Sequence, residues 1–144
     1  MGNEIENTLA IIKPDGVKNI MEIIEMFYKN DLKIEEYKIT KLNEELLSEH
    51  YSHLVDKPFY PILKEYMLSG EVILMILSGK NAVDKLRTLM GPTDSKKASK
   101  DTIRGKFGTD VTMNVIHGSD SKENAIIEIN RFFNKEKSLR KINS

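Results

Sequence analysis

One imidazole, two guanidinium groups, a lysine ammonium and a threonine hydroxyl stand in this chain where apolar segments end. His117 lies in Asn114-Val115-Ile116-His117-Gly118-Ser119-Asp120-Ser121, an apolar run that delivers it straight into a glycine and small polar residues. Gly118 permits backbone geometry that other residues avoid, and Asp120 and Ser121 are of the type that caps a following helix. Lys13 closes an apolar segment in Lys13-Pro14-Asp15-Gly16, Arg87 precedes Gly91, Thr93 follows it, and Arg104 sits in Thr102-Ile103-Arg104-Gly105. Arginine grips phosphate through charge-assisted, often bidentate hydrogen bonds. Fixed cations also stabilise the charge on a migrating phosphoryl group, and a neutral imidazole is a competent nucleophile near neutral pH. A phosphate-handling site at His117 is therefore the chemistry these residue types suggest. Each is unspecific alone, because surface Arg and Lys are usually solvated.

The elements that must position them follow from periodicity and turn residues. Thr8 to Ile12 reads as a buried central strand ended by the Lys-Pro-Asp-Gly turn. Ile20, Ile23, Ile24 and Phe27 recur at helical spacing, and Leu32 to Leu42 is a weaker strand pattern. Asn43 to His53 is helix-like, with Leu46, Leu47 and His50 or Tyr51 on one side; Pro58 and Pro61 interrupt the chain before a second helix from Leu63 to Leu68. A strand follows from Glu71 to Leu77, then a helix from Asn81 to Met90 closed by Gly91-Pro92. Thr93 to Asp101 is a polar, lysine-rich loop, and Thr102 to Phe107 is too short to assign. A strand is expected over Val111 to Ile116, then a last helix from Glu123 to Phe133 with Ile126, Ile129 and Phe133 on its inner face. The fold class expected is α+β: a ferredoxin-like βαββαβ antiparallel sheet with helices packed on one face, a helical-pair insertion and a long loop before the last strand.

A length of 144 residues suits one domain spanning 1–144, with residues 134–144 a charged, loosely held tail. Lys plus Arg and Asp plus Glu both number 22, so overall charge gives no strong signal for nucleic acid. The absence of cysteine excludes disulfides, thiolate nucleophiles and sulfur-based zinc sites, and fits a reducing compartment. The N-terminal residues lack the pattern of a signal peptide, and the longest apolar stretch, Val72 to Leu77, is far short of the ~20 residues a membrane span requires. A soluble cytoplasmic protein is the expectation.

Ala10-Ile11-Ile12-Lys13-Pro14-Asp15-Gly16-Val17, His50-Tyr51, Pro58-Phe59, Thr102-Ile103-Arg104-Gly105 and Asn114 to Ser121 occur in the order and spacing of the nucleoside diphosphate kinases. The chain resembles that family up to about Phe133, and its most specific segments are His-Gly-Ser-Asp-Ser and Lys-Pro-Asp-Gly. The resemblance implies ping-pong transfer of a γ-phosphate from a nucleoside triphosphate to His117 and then to a nucleoside diphosphate. It implies attack by Nδ1, with Glu128 holding the other side of the ring and Ser119 hydrogen-bonded to that carboxylate. It further implies Tyr51, Arg87, Thr93 and Arg104 as phosphate ligands, and Lys13 and Asn114 as contacts to the ribose 3′-hydroxyl and nearby oxygens. Phe59 and Val111 become the clamp on the base, a stacking arrangement that gives low base selectivity. Magnesium is expected to arrive with the nucleotide, Asp120 being an outer-sphere partner rather than part of a protein metal site. His50 and His53 have no matched role.

The family implies a homo-oligomer, hexamer or tetramer, built from dimers. Ser95 stands where most relatives have a proline in the assembly loop, and the tail lacks the usual aromatic extension, so the number stays open. Two other readings compete. A ferredoxin-like sheet is also a platform for RNA, although the balanced charge and lack of paired strand aromatics oppose that. A phosphohistidine relay fed by a partner protein would leave Phe59, Lys13 and Asn114 without a nucleotide to contact.

Overall fold

The computed structural model describes residues 4–133, so the tail expected at 134–144 lies outside the described residues. Strand β1, Ile5–Ile12, leads through a 3-10 turn, Pro14–Asn19, into helix α1, Ile20–Lys29. Strand β2, Lys33–Thr40, is followed by the helical pair α2, Glu44–His50, and α3, Tyr60–Met67; then come β3, Val72–Lys80, and α4, Ala82–Met90. A loop carrying a 3-10 turn at Ser95–Lys97 precedes the short helix α5, Ile103–Phe107, strand β4, Ile116–Gly118, and helix α6, Lys122–Phe133. The sheet order is β2-β3-β1-β4 with every neighbouring pair antiparallel, the arrangement expected of a ferredoxin-like α+β fold.

Side chains alternate across a strand, and β1 is apolar on both of its faces. Ala10 and Ile12 join Ile73, Met75 and Leu77 in one core, under Ile23 and Phe27 of α1 and Leu86 of α4. Leu9 and Ile11 join Val72 and Leu74 in a second core, under Leu47 of α2, Leu63 and Met67 of α3, and Phe132 of α6. Helices therefore cover both faces of the sheet, not one as expected, because the helical pair and α6 close the side that a four-stranded sheet would otherwise leave wet. Pro61 does not delay α3; it sits in the first turn, where a missing N–H costs nothing.

Two other expectations are corrected. The segment from Val111 is not strand: the Asp110 carboxylate accepts from the N–H groups of Thr112 and Met113, and Asn114 donates to the Val111 carbonyl, so the chain turns there. Only Ile116–Gly118 pairs with β1, placing Ile11 opposite His117. On α6, Ile126 is 64% exposed, whereas Ala125 and Phe132 are buried. Ile129 and Phe133 do pack against the Leu9–Ile11 core, partly buried, while the buried positions are Ala125 and Phe132, and Glu128 is turned toward His117 of β4.

The residue before β4's first member, Val115, has φ 77°, a left-handed conformation that β-branched residues rarely adopt. Ile116 N–H donates to the Asn114 carbonyl at 2.9 Å, closing a three-residue turn. Lys13 N–H donates to the Val115 carbonyl at 2.7 Å, and Val115 N–H donates to Asp15 Oδ2 at 3.2 Å. Asp15 is held in turn by the Tyr66 hydroxyl. A Cβ on Gly16 would lie 2.6 Å from Val115 Cγ1 and 2.8 Å from its carbonyl oxygen, so the turn can close on Val115 only as glycine. Gly16→Ala is expected to cost about 1–3 kcal/mol of stability through overpacking, read as a lower urea midpoint with an unchanged denaturant slope.

Candidate active site

A cleft of about 1020 Å³ opens at the C-terminal end of β1, and His117 and Gly118 form part of its wall. Lys13, Tyr51, Phe59, Arg87, Thr93, Arg104, Val111, Asn114 and Asp120 line it with them. The structure thus brings together ten of the twelve residues singled out by sequence, and puts Ser119 and Glu128 directly behind the histidine. Phe59 and Val111 are 51% and 58% exposed. Neither is a core residue; both stand at the mouth of the cleft.

His117 Nε2 lies 3.0 Å from Glu128 Oε1, and Ser119 Oγ donates to the same oxygen at 2.7 Å. Ser119 is fully buried and its own N–H donates to the Leu9 carbonyl, so the support belongs to the sheet. Burial alone would raise the Glu128 pKa, but the hydrogen bonds from His117 and Ser119 outweigh it and hold the carboxyl below its usual range. An ionised carboxylate only accepts hydrogen bonds. The neutral His117 ring must then carry its proton on Nε2, leaving the Nδ1 lone pair for the cleft.

Two of the cations, Lys13 and Arg104, are buried, whereas Arg87 is exposed. Lys13 Nζ donates to Asn114 Oδ1 at 2.7 Å, and Asn114 Nδ2 donates to the carbonyls of Thr93 and Val111. One amide therefore ties the β1 turn to both loops that frame the cleft. Burial, with help from Arg104 and against Asp15, lowers the Lys13 pKa to about 8. Arg104, lowered to about 10 chiefly by burial, donates to the carbonyls of Gly91 and Ile116, each at 2.9 Å. Its Nε has no hydrogen-bond partner among the described residues. The Thr102 side chain caps α5 by accepting from Gly105 N–H, which is why so short a helix holds Arg104 firmly. Arg87 Nη1 reaches the Asp120 carbonyl at 3.4 Å, and burial pushes the Tyr51 phenol well above its ordinary pKa, so it stays a neutral donor. Desolvated Lys13 and Arg104, facing one cleft together with the exposed Arg87, favour an anionic ligand.

Three neighbours were not foreseen. His50 is buried against the His117 ring, Arg131 donates to it, and Asp15 clamps Val115. His50 has a legible signal, since it shares the inward side of α2 with Leu47, and Asp15 has one in the Lys13-Pro14-Asp15-Gly16 turn; Arg131 has none beyond its charge. His50, His117 and Glu128 bring possible ligand atoms within 4.8 Å of one another. Arg131 takes His50 Nδ1, and His117 Nε2 and Glu128 engage each other, so a hydrogen-bonded support accounts for these contacts. No helix among the described residues is long and apolar enough to cross a membrane.

An antiparallel α+β sheet that presents a histidine to a cation-lined cleft has the chemistry of a phosphotransferase. The family model for nucleoside diphosphate kinase matches residues 6–138. The nucleoside diphosphate kinase of Campylobacter lari is 47% identical over 137 residues, covering 94% of this chain and all of the relative. That of Chlamydia trachomatis is 44% identical over 133 residues, covering 91% and 94%. Among solved structures, the Halobacterium salinarum nucleoside diphosphate kinase in complex with CDP superposes with a TM-score of 0.86 at 39% identity, over 90% of this chain and 88% of that one. The Aquifex aeolicus nucleoside diphosphate kinase gives 0.85 at 36% identity, over 90% and 96%. The chain belongs to the nucleoside diphosphate kinase family.

His50 sets an expectation for acid stability. Burial and then the charge of His117 lower its pKa to about 3, against about 6.5 in an unfolded chain. The unfolded state therefore binds the extra proton across that window, and stability present above pH 6.5 is lost as pH falls toward 3. Chemical denaturation midpoints should fall between pH 6.5 and 4.5 in the natural protein, and fall less in His50→Phe.

Proposed function

We propose that this member transfers the γ-phosphate of a nucleoside triphosphate to a nucleoside diphosphate by way of phosphorylated His117. The observation that carries the reading is the His117–Glu128 contact at 3.0 Å, which keeps Nε2 protonated and directs the Nδ1 lone pair into the cleft. Nδ1 attacks the γ-phosphorus, the Nδ1–P bond forms, and the bond to the β–γ bridging oxygen breaks. The nucleoside diphosphate leaves with that electron pair. In the return half, a terminal phosphate oxygen of the acceptor attacks the phosphohistidine phosphorus and restores the neutral ring.

Arg87, Arg104, Thr93 and Tyr51 hold the phosphates, and the arginines offset the charge that builds on the migrating group. Lys13 and Asn114 take the ribose 3′-hydroxyl and nearby oxygens, consistent with their mutual bond and burial in the cleft. Phe59 and Val111 sandwich the base without reading its hydrogen-bonding edge, so base selectivity is low. A nucleoside diphosphate in the site agrees with the CDP bound to the Halobacterium salinarum relative. Magnesium arrives as part of the substrate: Asp84 and Asp120 are the carboxylates among the cleft residues. Such a donor set suits a hydrated ion carried by phosphates, with Asp120 in its outer sphere. The protein works as one domain in the cytoplasm and as a homo-oligomer of dimers; Tyr37 and Ile39, exposed on the edge strand β2, fit a subunit contact.

The test is to incubate protein with γ-labelled ATP and magnesium, look for acid-labile, base-stable label, and then add GDP. Label on His117 that passes to GTP is expected. His117→Ala should take no label, and Arg104→Ala should slow transfer by about 10² or more. Near-normal transfer by His117→Ala would sink the mechanism.

A further inference from the structure

His50 ends α2, is 6% exposed, and has no part in the transfer just described. Arg131 of α6 lies 3.0 Å from its Nδ1. A guanidinium only donates, so Nδ1 accepts and the ring proton sits on Nε2, an atom with no hydrogen-bond partner among the described residues. The ring is therefore pinned at one nitrogen. Its centroid is 4.6 Å from that of His117, with the planes at 80°, an edge-to-face pair. Tyr51 and Phe132 hold it from two other directions, at 4.8 and 5.2 Å.

Glu128 fixes His117 at a single atom, and the torsion that turns an imidazole about its bond to the rest of the side chain is broad. A bond at one nitrogen is compatible with many tilts of the ring. A rigid body on the ring's flank removes them.

We propose that His50 is a positioning residue for phosphoryl transfer: held by Arg131, it braces the His117 ring so that one nitrogen stays on Glu128 while the other stays aimed into the cleft. The inference rests on His117 being the phosphoryl acceptor. The brace must also be uncharged, since a second cation would compete for Glu128. Arg131 and Glu128 of α6, His117 of β4 and His53 beyond α2 are the charged or titratable groups around His50, and Glu49 faces Arg131 from the other side at 3.6 Å. Burial and the cations among these outweigh Glu128, so His50 is held neutral around neutral pH.

The test compares His50→Ala, which removes the brace, with His50→Phe, which keeps an uncharged ring of similar shape. Single-turnover phosphorylation by ATP and magnesium gives the rate and half-saturation, and the imidazole 15N shifts of His117 give its tautomer. His50→Ala should lose about 10- to 100-fold in rate, the scale of a misplaced reacting group, with half-saturation unchanged and the two 15N signals drawn together by tautomer mixing. His50→Phe should recover most of the rate and the separate signals. A role in folding alone would lower the denaturation midpoint and leave both readouts intact, and that result in folded His50→Ala would overturn the proposal. If His50→Ala does not fold, Arg131→Met removes the pin instead; the same losses are expected, and wild-type values would overturn it. Absence of label on His117 in the natural protein would instead overturn the transfer mechanism, and the brace with it.

Discussion

The active cleft depends on one residue held against its preference. A valine at φ 77° costs on the order of 1–3 kcal/mol, and this one is kept there by the Lys13 N–H, the Asp15 carboxylate and the missing side chain of Gly16. In a regular strand, residues 114 and 117 would face opposite ways, and 115 and 116 likewise. The turn at Val115 breaks that alternation: Val115 and Ile116 both enter one core, while Asn114 and His117 both reach the cleft. His117 and Asn114, the proposed nucleophile and sugar contact, share a wall because the strand is interrupted between them. The same Lys-Pro-Asp-Gly turn supplies the clamp and the Lys13 ammonium, so backbone strain and site charge are set by one segment.

Around that frame the electrostatics form two opposed shells. Behind His117 lie a carboxylate, a buried serine and a neutral histidine, which fix a tautomer without adding positive charge. In front lie Lys13, Arg87 and Arg104, with burial lowering the charged forms of Lys13 and Arg104. On the proposed mechanism, the groups behind the ring make it a nucleophile and the cations in front make the cleft welcoming to a polyphosphate. The groups behind His117 depend on α6, which carries Glu128 and Arg131 between Ala125 and Phe132; the cations in front are held by Asn114 and by the carbonyls of Gly91, Ile116 and Asp120.

Residue types and their spacing disclose the α+β order and the first three strands of the sheet, and together with the family resemblance they name ten of the nineteen residues lining the cleft. Motif residues were legible because polar groups at element ends interrupt an apolar pattern. What escaped notice lies where tertiary contact overrides periodicity. Val111 and Met113 look like strand because they alternate with polar residues, but the Asp110 carboxylate bends the chain. Ile126 looks inward-facing by hydrophobicity, yet the helix gives that side to solvent so that Glu128 can meet His117. The second helical layer is not legible because the helical pair reads as an insertion rather than as a lid over Leu9 and Ile11. The pairing of His50 is hidden because its partner, Arg131, is far away in sequence.

The most direct test of the account is to phosphorylate 15N-histidine-labelled protein with ATP and magnesium and read one-bond phosphorus–nitrogen coupling on His117. Coupling to Nδ1 is predicted, because Nε2 is committed to Glu128. Coupling to Nε2 would contradict it, for the ring would then have to leave Glu128 and present its other edge to the cleft.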